Sequence, residues 1–115
     1  MAWFHFCTAN HNAVGRSTLA DMAAWFEAGL LELGHTVTFS ATSVERSAIN
    51  LFWECFEPGM PEALLGTGIE FGIIATEIPD GQGFNWQREP RWTSRFDTFV
   101  EVAKHARFIW TMTEC

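Results

Sequence analysis

Thr36-Val-Thr-Phe-Ser40, then Ala41-Thr-Ser-Val-Glu-Arg-Ser-Ala48, then Ile49-Asn-Leu-Phe-Trp-Glu-Cys-Phe56: the reading of these three adjoining pieces decides the fold. The first is short and β-branched and the third is apolar and aromatic, so both read as strands. The polar link between them is short for a parallel crossover, which usually takes a dozen residues or more. Either the two strands run parallel, in a sheet that is parallel throughout, or one of them is an antiparallel edge strand. Both alternatives stay open at this level.

Upstream, Trp3-Phe-His-Phe-Cys7 has the length and composition of a strand, and Thr8 to Ser17 follows as a polar loop. Leu19, Met22, Ala23, Phe26, Leu30 and Leu33 then recur at the spacing of a helix's core stripe. Ser17 or Thr18 is expected to cap that helix, with Asp21 completing a capping box, and Gly34 to end it in the left-handed conformation. Trp25 and Leu31 lie off the stripe, so the helix offers apolar surface to a second neighbour.

Downstream, Pro58, Gly59, Pro61, Gly66 and Gly68 leave room for a helical turn or two before the strand Phe71-Gly-Ile-Ile-Ala-Thr76. A long loop, Pro79 to Trp92, precedes a helix with Phe96, Phe99, Val100, Ala103 and Ala106 on one stripe and Ser94 as its expected cap. Phe108 to Thr113 is the fifth strand. The near-continuous apolar strands favour an α/β fold: a doubly wound, mostly parallel, five-stranded Rossmann-like sheet in the order 3-2-1-4-5, with helices on both faces. The chain is expected to be a single domain over residues 1–115. It stops at a strand with no closing helix, which suggests the N-terminal half of a longer two-domain protein, or a homo-oligomer that covers the open edge by self-association.

Composition narrows the partners. The chain has 115 residues, 48% of them hydrophobic, enough for one core. Its net charge is −7 and Lys104 is its only lysine, so the cationic face that nucleic acid needs is missing. No apolar run is long enough for a membrane span and no basic segment opens a secretory signal, so a soluble cytoplasmic protein is expected. Cys7, Cys55 and Cys115 are odd in number and far apart, and are read as reduced thiols.

In a sheet of this kind, ligands sit beyond the C-terminal strand ends where the strand order reverses, here between the first and fourth strands. That position gathers Asn10, His11, Asn12, Gly15, Arg16 and Ser17 from the first loop and Glu54 and Glu57 from the third strand. It adds Thr76, Glu77, Asp80, Gln82 and Asn85 after the fourth, and Glu114 after the fifth. Gly15, Arg16 and Ser17 at a helix start would offer an anion backbone N–H groups and a guanidinium, although neither dinucleotide nor P-loop spacing is present. Glu54 and Glu77 could divide acid and base roles or fix a loop. Phe84, Trp86 and Trp92 could stack on a sugar or seal a pocket. His5, Cys7 and His11 have imidazole and thiolate donors but no fourth ligand at a recognised spacing, so neither a metal nor another cofactor is expected. No residue is assigned a catalytic role.

Four segments in order, Leu33-Gly-His-Thr-Val37, Ile49-Asn-Leu-Phe-Trp-Glu54, Phe71-Gly-Ile-Ile-Ala-Thr-Glu77 with Phe84-Asn85, and Phe108-Ile-Trp110, give the chain a resemblance that spans nearly its whole length. It resembles the N-terminal Rossmann-like domain of glycosyltransferases with the two-domain GT-B architecture. The resemblance implies an acceptor-binding half, with Asn10 to Ser17 and the loop after the fourth strand on the acceptor side. The nucleotide sugar would be held mostly by a C-terminal domain, so the chain alone is expected to be inactive. It departs from many members in having only Gly15 in its first loop. The alternatives are a free-standing module for a small anionic or sugar-like ligand, and a structural protein that assembles through its sheet edge.

Overall fold

The computed structural model describes residues 1–8, 13–55, 57, 59, 61, 64, 66–77, 80 and 83–111, with side chains of the first helix from Ser17 onward. The elements are β1 (Trp3–Cys7), α1 (Ala13–Glu32), β2 (Thr36–Ser40), β3 (Ile49–Trp53), β4 (Glu70–Ala75), α2 (Pro90–Ala103) and β5 (Ile109–Thr111). All five strands are parallel, in the order β2-β1-β3-β4-β5. The order 3-2-1-4-5 is therefore corrected, and the antiparallel alternative for β3 is excluded by its parallel pairing with β1, His5 opposite Asn50.

The short link makes this possible by doing without a helix. Residues 41–48 must run back about 17 Å, the length of a five-residue strand, and sideways about 10 Å across β1, a diagonal of about 20 Å. Extended chain of that length spans about 26–29 Å, which suffices. The strap is held from below by Asn50, a fully buried amide on β3. Asn50 Nδ2 donates to the carbonyls of Glu45 (2.9 Å), Ala48 (3.3 Å) and Glu70 (3.2 Å), and its Oδ1 accepts from the Glu45 N–H (2.9 Å). His5 adds a second tie. Its Nε2 lies 2.9 Å from the Ser43 carbonyl, which can only accept, so Nε2 carries the proton and Nδ1 accepts from the Thr38 hydroxyl at 2.7 Å. Both ring nitrogens are thereby engaged within the protein, and the metal reading of His5 loses its donor. Among the described residues no group of three His, Cys, Asp or Glu side chains could hold a metal ion.

Alternation along the strands divides the core in two. On one face Phe4, Phe6, Leu51, Trp53 and Ile74 meet Leu19, Leu30, Met22 and Phe26 of α1. On the other Cys7, Phe52, Phe71, Ile73 and Ala75 meet Phe99 and Val102 of α2, Leu64 of the β3–β4 connection and Val44 of the strap. Among the described residues, the strap, the β3–β4 connection and α2 thus pack on the second face, and α1 packs on the first. Among the described residues, no helix is long and apolar enough to cross a membrane.

Both helices start earlier than their expected caps. Ser17 and Thr18 lie inside α1, and Ser94 lies inside α2, whose start is set by Pro90 after an extended Glu89 (φ −61°, ψ 150°) with no side-chain cap. Proline's fixed φ suits the first helical position, so it overrides the weaker signal from serine. The end of α1 is as expected. Gly34 takes φ 88°, its N–H donates to the Leu31 carbonyl (3.0 Å) and the His35 N–H to that of Leu30 (3.0 Å), a Schellman closure.

Candidate functional site

The observed order moves the reversal point from β1/β4 to β1/β3, so a ligand crevice would open beyond the C-terminal ends of those two strands. At that end β3 stops abruptly, because Glu54 and Cys55 both take left-handed backbone angles (φ 68° and 54°). For residues with a side chain this conformation is strained and is kept only where the surroundings enforce it. Here the enforcement is visible. The buried Glu54 carboxylate crosses to the end of β4, where Oε1 accepts from the Thr76 backbone N–H (2.5 Å), the Thr76 hydroxyl and the Glu77 N–H (3.2 Å). Glu77 in turn accepts from the Asn85 side-chain amide.

Four of the ten candidates, Glu54, Thr76, Glu77 and Asn85, are thereby joined in one hydrogen-bonded chain across two loops. Asn10, His11 and Asn12 lie outside the described residues. Gly15 and Arg16 belong to the first turn of α1, and Ser17 sits exposed in its second, so Ser17 does not stand at the helix N-terminus. Of the wider rim, Glu57 pairs with Arg95 at 3.4 Å, and Gln82 and Glu114 lie outside the described residues.

Asp80 organises the loop after β4 more than its place in the sequence suggests. Its carboxylate, with the side chain buried, accepts from the backbone N–H groups of Gly83 (2.9 Å) and Trp86 (2.6 Å) and from both terminal nitrogens of Arg88 at 3.1 Å. This holds Asn85 and Trp86 at φ 53° and 59°, with the Trp86 side chain exposed. An exposed tryptophan in left-handed backbone is a conformation that local preference opposes and the Asp80 hub imposes. The available signal was the run Asp80-Gly-Gln-Gly83, whose glycines permit a tight loop around one carboxylate. The other two aromatics of this region are structural. Phe84 is fully buried and meets Phe96 and Phe99 edge-on at 5.5 and 5.3 Å, and Trp92 belongs to α2 beneath the guanidinium of Arg95 (4.9 Å).

Burial raises the Glu54 carboxyl above its ordinary 4.5, outweighing the donors of Thr76 and Glu77. Folding therefore takes up protons at this group. Its contribution to stability is complete below about pH 4.5 and is lost as pH rises through the raised folded value. Glu54→Gln should accordingly flatten the fall of unfolding free energy above pH 4.5, as read from urea titrations at several pH values. An unchanged slope would mean that the carboxylate is charged in the fold. The nearby Cys55 thiol is pushed up chiefly by its own burial, which disfavours the nucleophilic thiolate, and Cys7 and Cys55 are both buried and in no disulfide among the described residues.

No family model, curated protein or solved structure matches the chain.

Proposed function

We propose that this chain is a ligand-binding module of Rossmann-like α/β type that takes a sugar-like or small anionic ligand at the C-terminal end of its sheet. The observation that carries the reading is Trp86, exposed and held in left-handed backbone by Asp80, next in the chain to Asn85 of the Glu77–Asn85 pair. A flat aromatic face next to a carboxylate and an amide is a suitable set for a sugar, whose C–H face stacks and whose hydroxyls hydrogen-bond. Strain imposed at Glu54, Cys55, Asn85 and Trp86 on the ligand-binding edge of the sheet supports a site, because such strain concentrates where function requires it. The helices on opposite faces support a doubly wound ancestry.

The expected result is saturable binding of one or more members of a panel of monosaccharides, nucleotide sugars and inorganic phosphate, followed by ligand-detected NMR. Trp86→Ala and Glu77→Gln should each weaken it at least about tenfold, the loss of one good contact of about 1.4 kcal/mol. Thermal unfolding of Trp86→Ala should be unchanged or slightly raised, since the exposed ring contributes little to the core. Absence of binding across the panel, or binding indifferent to both substitutions, would overturn the reading.

A second reading, the acceptor-side domain of a GT-B glycosyltransferase, is favoured by one particular contact. Two parts of the resemblance, Phe71–Glu77 and Phe84-Asn85, meet through the Glu77–Asn85 hydrogen bond. On that reading the chain alone transfers nothing from nucleotide sugars, and turnover abolished by Glu77→Gln would count against it.

A further inference from the structure

Sugars and small anions make opposite demands on charge, and the charges after β4 separate them. Glu77 and Asp80 are both acids, but their surroundings differ. Asp80 is neutralised by the two terminal nitrogens of Arg88 at 3.1 Å. Glu77 has no such cation. Its Oε2 accepts from the neutral amide of Asn85, its Oε1 accepts nothing among the described residues, and the residue is only half-buried.

The described arginines of this region are engaged elsewhere. Arg95 pairs with Glu57 at 3.4 Å, and Arg95 and Arg91 lie over the Trp92 ring at 4.9 and 5.8 Å. What does lie close to Glu77 is another carboxyl, since its backbone N–H is 3.2 and 3.4 Å from the two oxygens of Glu54. Burial chiefly, and the charge of Glu77 in addition, raise that carboxyl above its ordinary value. Glu77 is therefore a carboxylate with one open oxygen in a negative field.

Resting on the sugar-binding reading above, we infer that the site rejects phosphate and phosphorylated sugars and takes sugars without an anionic group, amino sugars ahead of their neutral counterparts. An anion that reaches the Asn85 amide meets the Glu77 carboxylate already bonded to it, and no described cation offsets the repulsion. A sugar hydroxyl instead donates to the open Oε1, and an ammonium donates to it with the added strength of opposite charge. The net charge of −7 acts in the same direction at longer range.

The test is ligand-detected NMR titration of the full chain at about pH 6, where a sugar amine is charged. The probes are glucose, galactose and mannose, each as the neutral sugar, the 2-amino sugar and the 6-phosphate. For a ring that binds, the amine should bind about fivefold tighter than the neutral sugar, and the phosphate weaker by at least as much, with both gaps shrinking at high salt. Glu77→Gln keeps the shape and removes the charge, so within its weaker binding the amine and the neutral sugar should come within about twofold of each other. Glu32→Gln removes the same unit of charge from the last residue of α1, at the opposite end of the sheet, and should leave the order as it is. Phosphate binding tightest, an amine preference that survives Glu77→Gln, or one that Glu32→Gln removes equally would overturn the inference and leave the sugar site standing. Binding by none of the probes would overturn both.

Discussion

Asn50→Leu should cost about 3–5 kcal/mol of stability, the largest loss expected from a single substitution here. The side chain is fully buried and is the common partner of one N–H and three carbonyls. Leucine has similar bulk but leaves those groups without their partner, and each orphaned group costs about 1–3 kcal/mol unless the strap opens to let water reach it. Opening also withdraws Val44 from the core of that face, so the two routes are comparably expensive. Urea denaturation gives the value, and hydrogen exchange of the Glu45 amide distinguishes the routes. Asn50→Asp, which keeps the acceptor for Glu45 and loses the donors, should be nearly as damaging at neutral pH. A loss under 1 kcal/mol for Asn50→Leu would mean that the strap is held chiefly by its other contacts.

The second large effect is expected at Gly72 in β4. Gly72 faces α1's side of the sheet, where the Phe108 ring lies across it and stacks on Trp110 at 4.7 Å. A Cβ placed there would meet three Phe108 ring carbons closer than Cβ atoms normally approach anything, so the ring must leave its place on Trp110. Gly72→Val should therefore destabilise by about 3 kcal/mol, at the upper end for overpacked cores, although valine is the better strand former. The near-ultraviolet circular dichroism of the Phe108–Trp110 stack should change in parallel. Adding Phe108→Ala should restore part of the loss in a double-mutant cycle, because the two positions share one space.

The elements were largely legible in the sequence because each has a strong local signature. The stripe from Leu19 to Leu30 does pack on the sheet, and Gly34 does close the helix. Leu33 was read as core and is exposed, since it lies just past the last residue of α1. Of the second stripe, Phe96, Phe99, Ala103 and Ala106 pack on the core as read, while Val100 is exposed and Val102 is buried instead.

Strand order was not legible, because periodicity says which residues form strands and nothing about their neighbours. The deciding fact was the reach of residues 41–48, and its enabling residue, Asn50, looks like an ordinary polar interruption of a strand. At the site, strand ends singled out Glu54 and Glu77, which the structure joins through the Glu77 N–H and the Glu54 carboxylate. The tie from Glu54 to Thr76 and Glu77 joins positions separated by more than 20 residues, and the imposed angle at Trp86 depends on Asp80. Neither follows from local composition.

The strand β1 comes first of the five in chain order, yet it lies inside the sheet, between β2 and β3. The neighbours of β1 begin at Thr36 and Ile49, opposite Trp3 and Phe4, so its partners are separated from it by 36 − 3 = 33 and 49 − 4 = 45 positions. During synthesis, Phe4, Phe6 and Cys7 therefore emerge as an unpaired apolar segment and wait until β2 and then β3 have been produced. Closing such long loops before any reward slows folding and leaves an adhesive stretch uncovered. A strand that is buried in the native molecule is thus, for a time, uncovered in the nascent one.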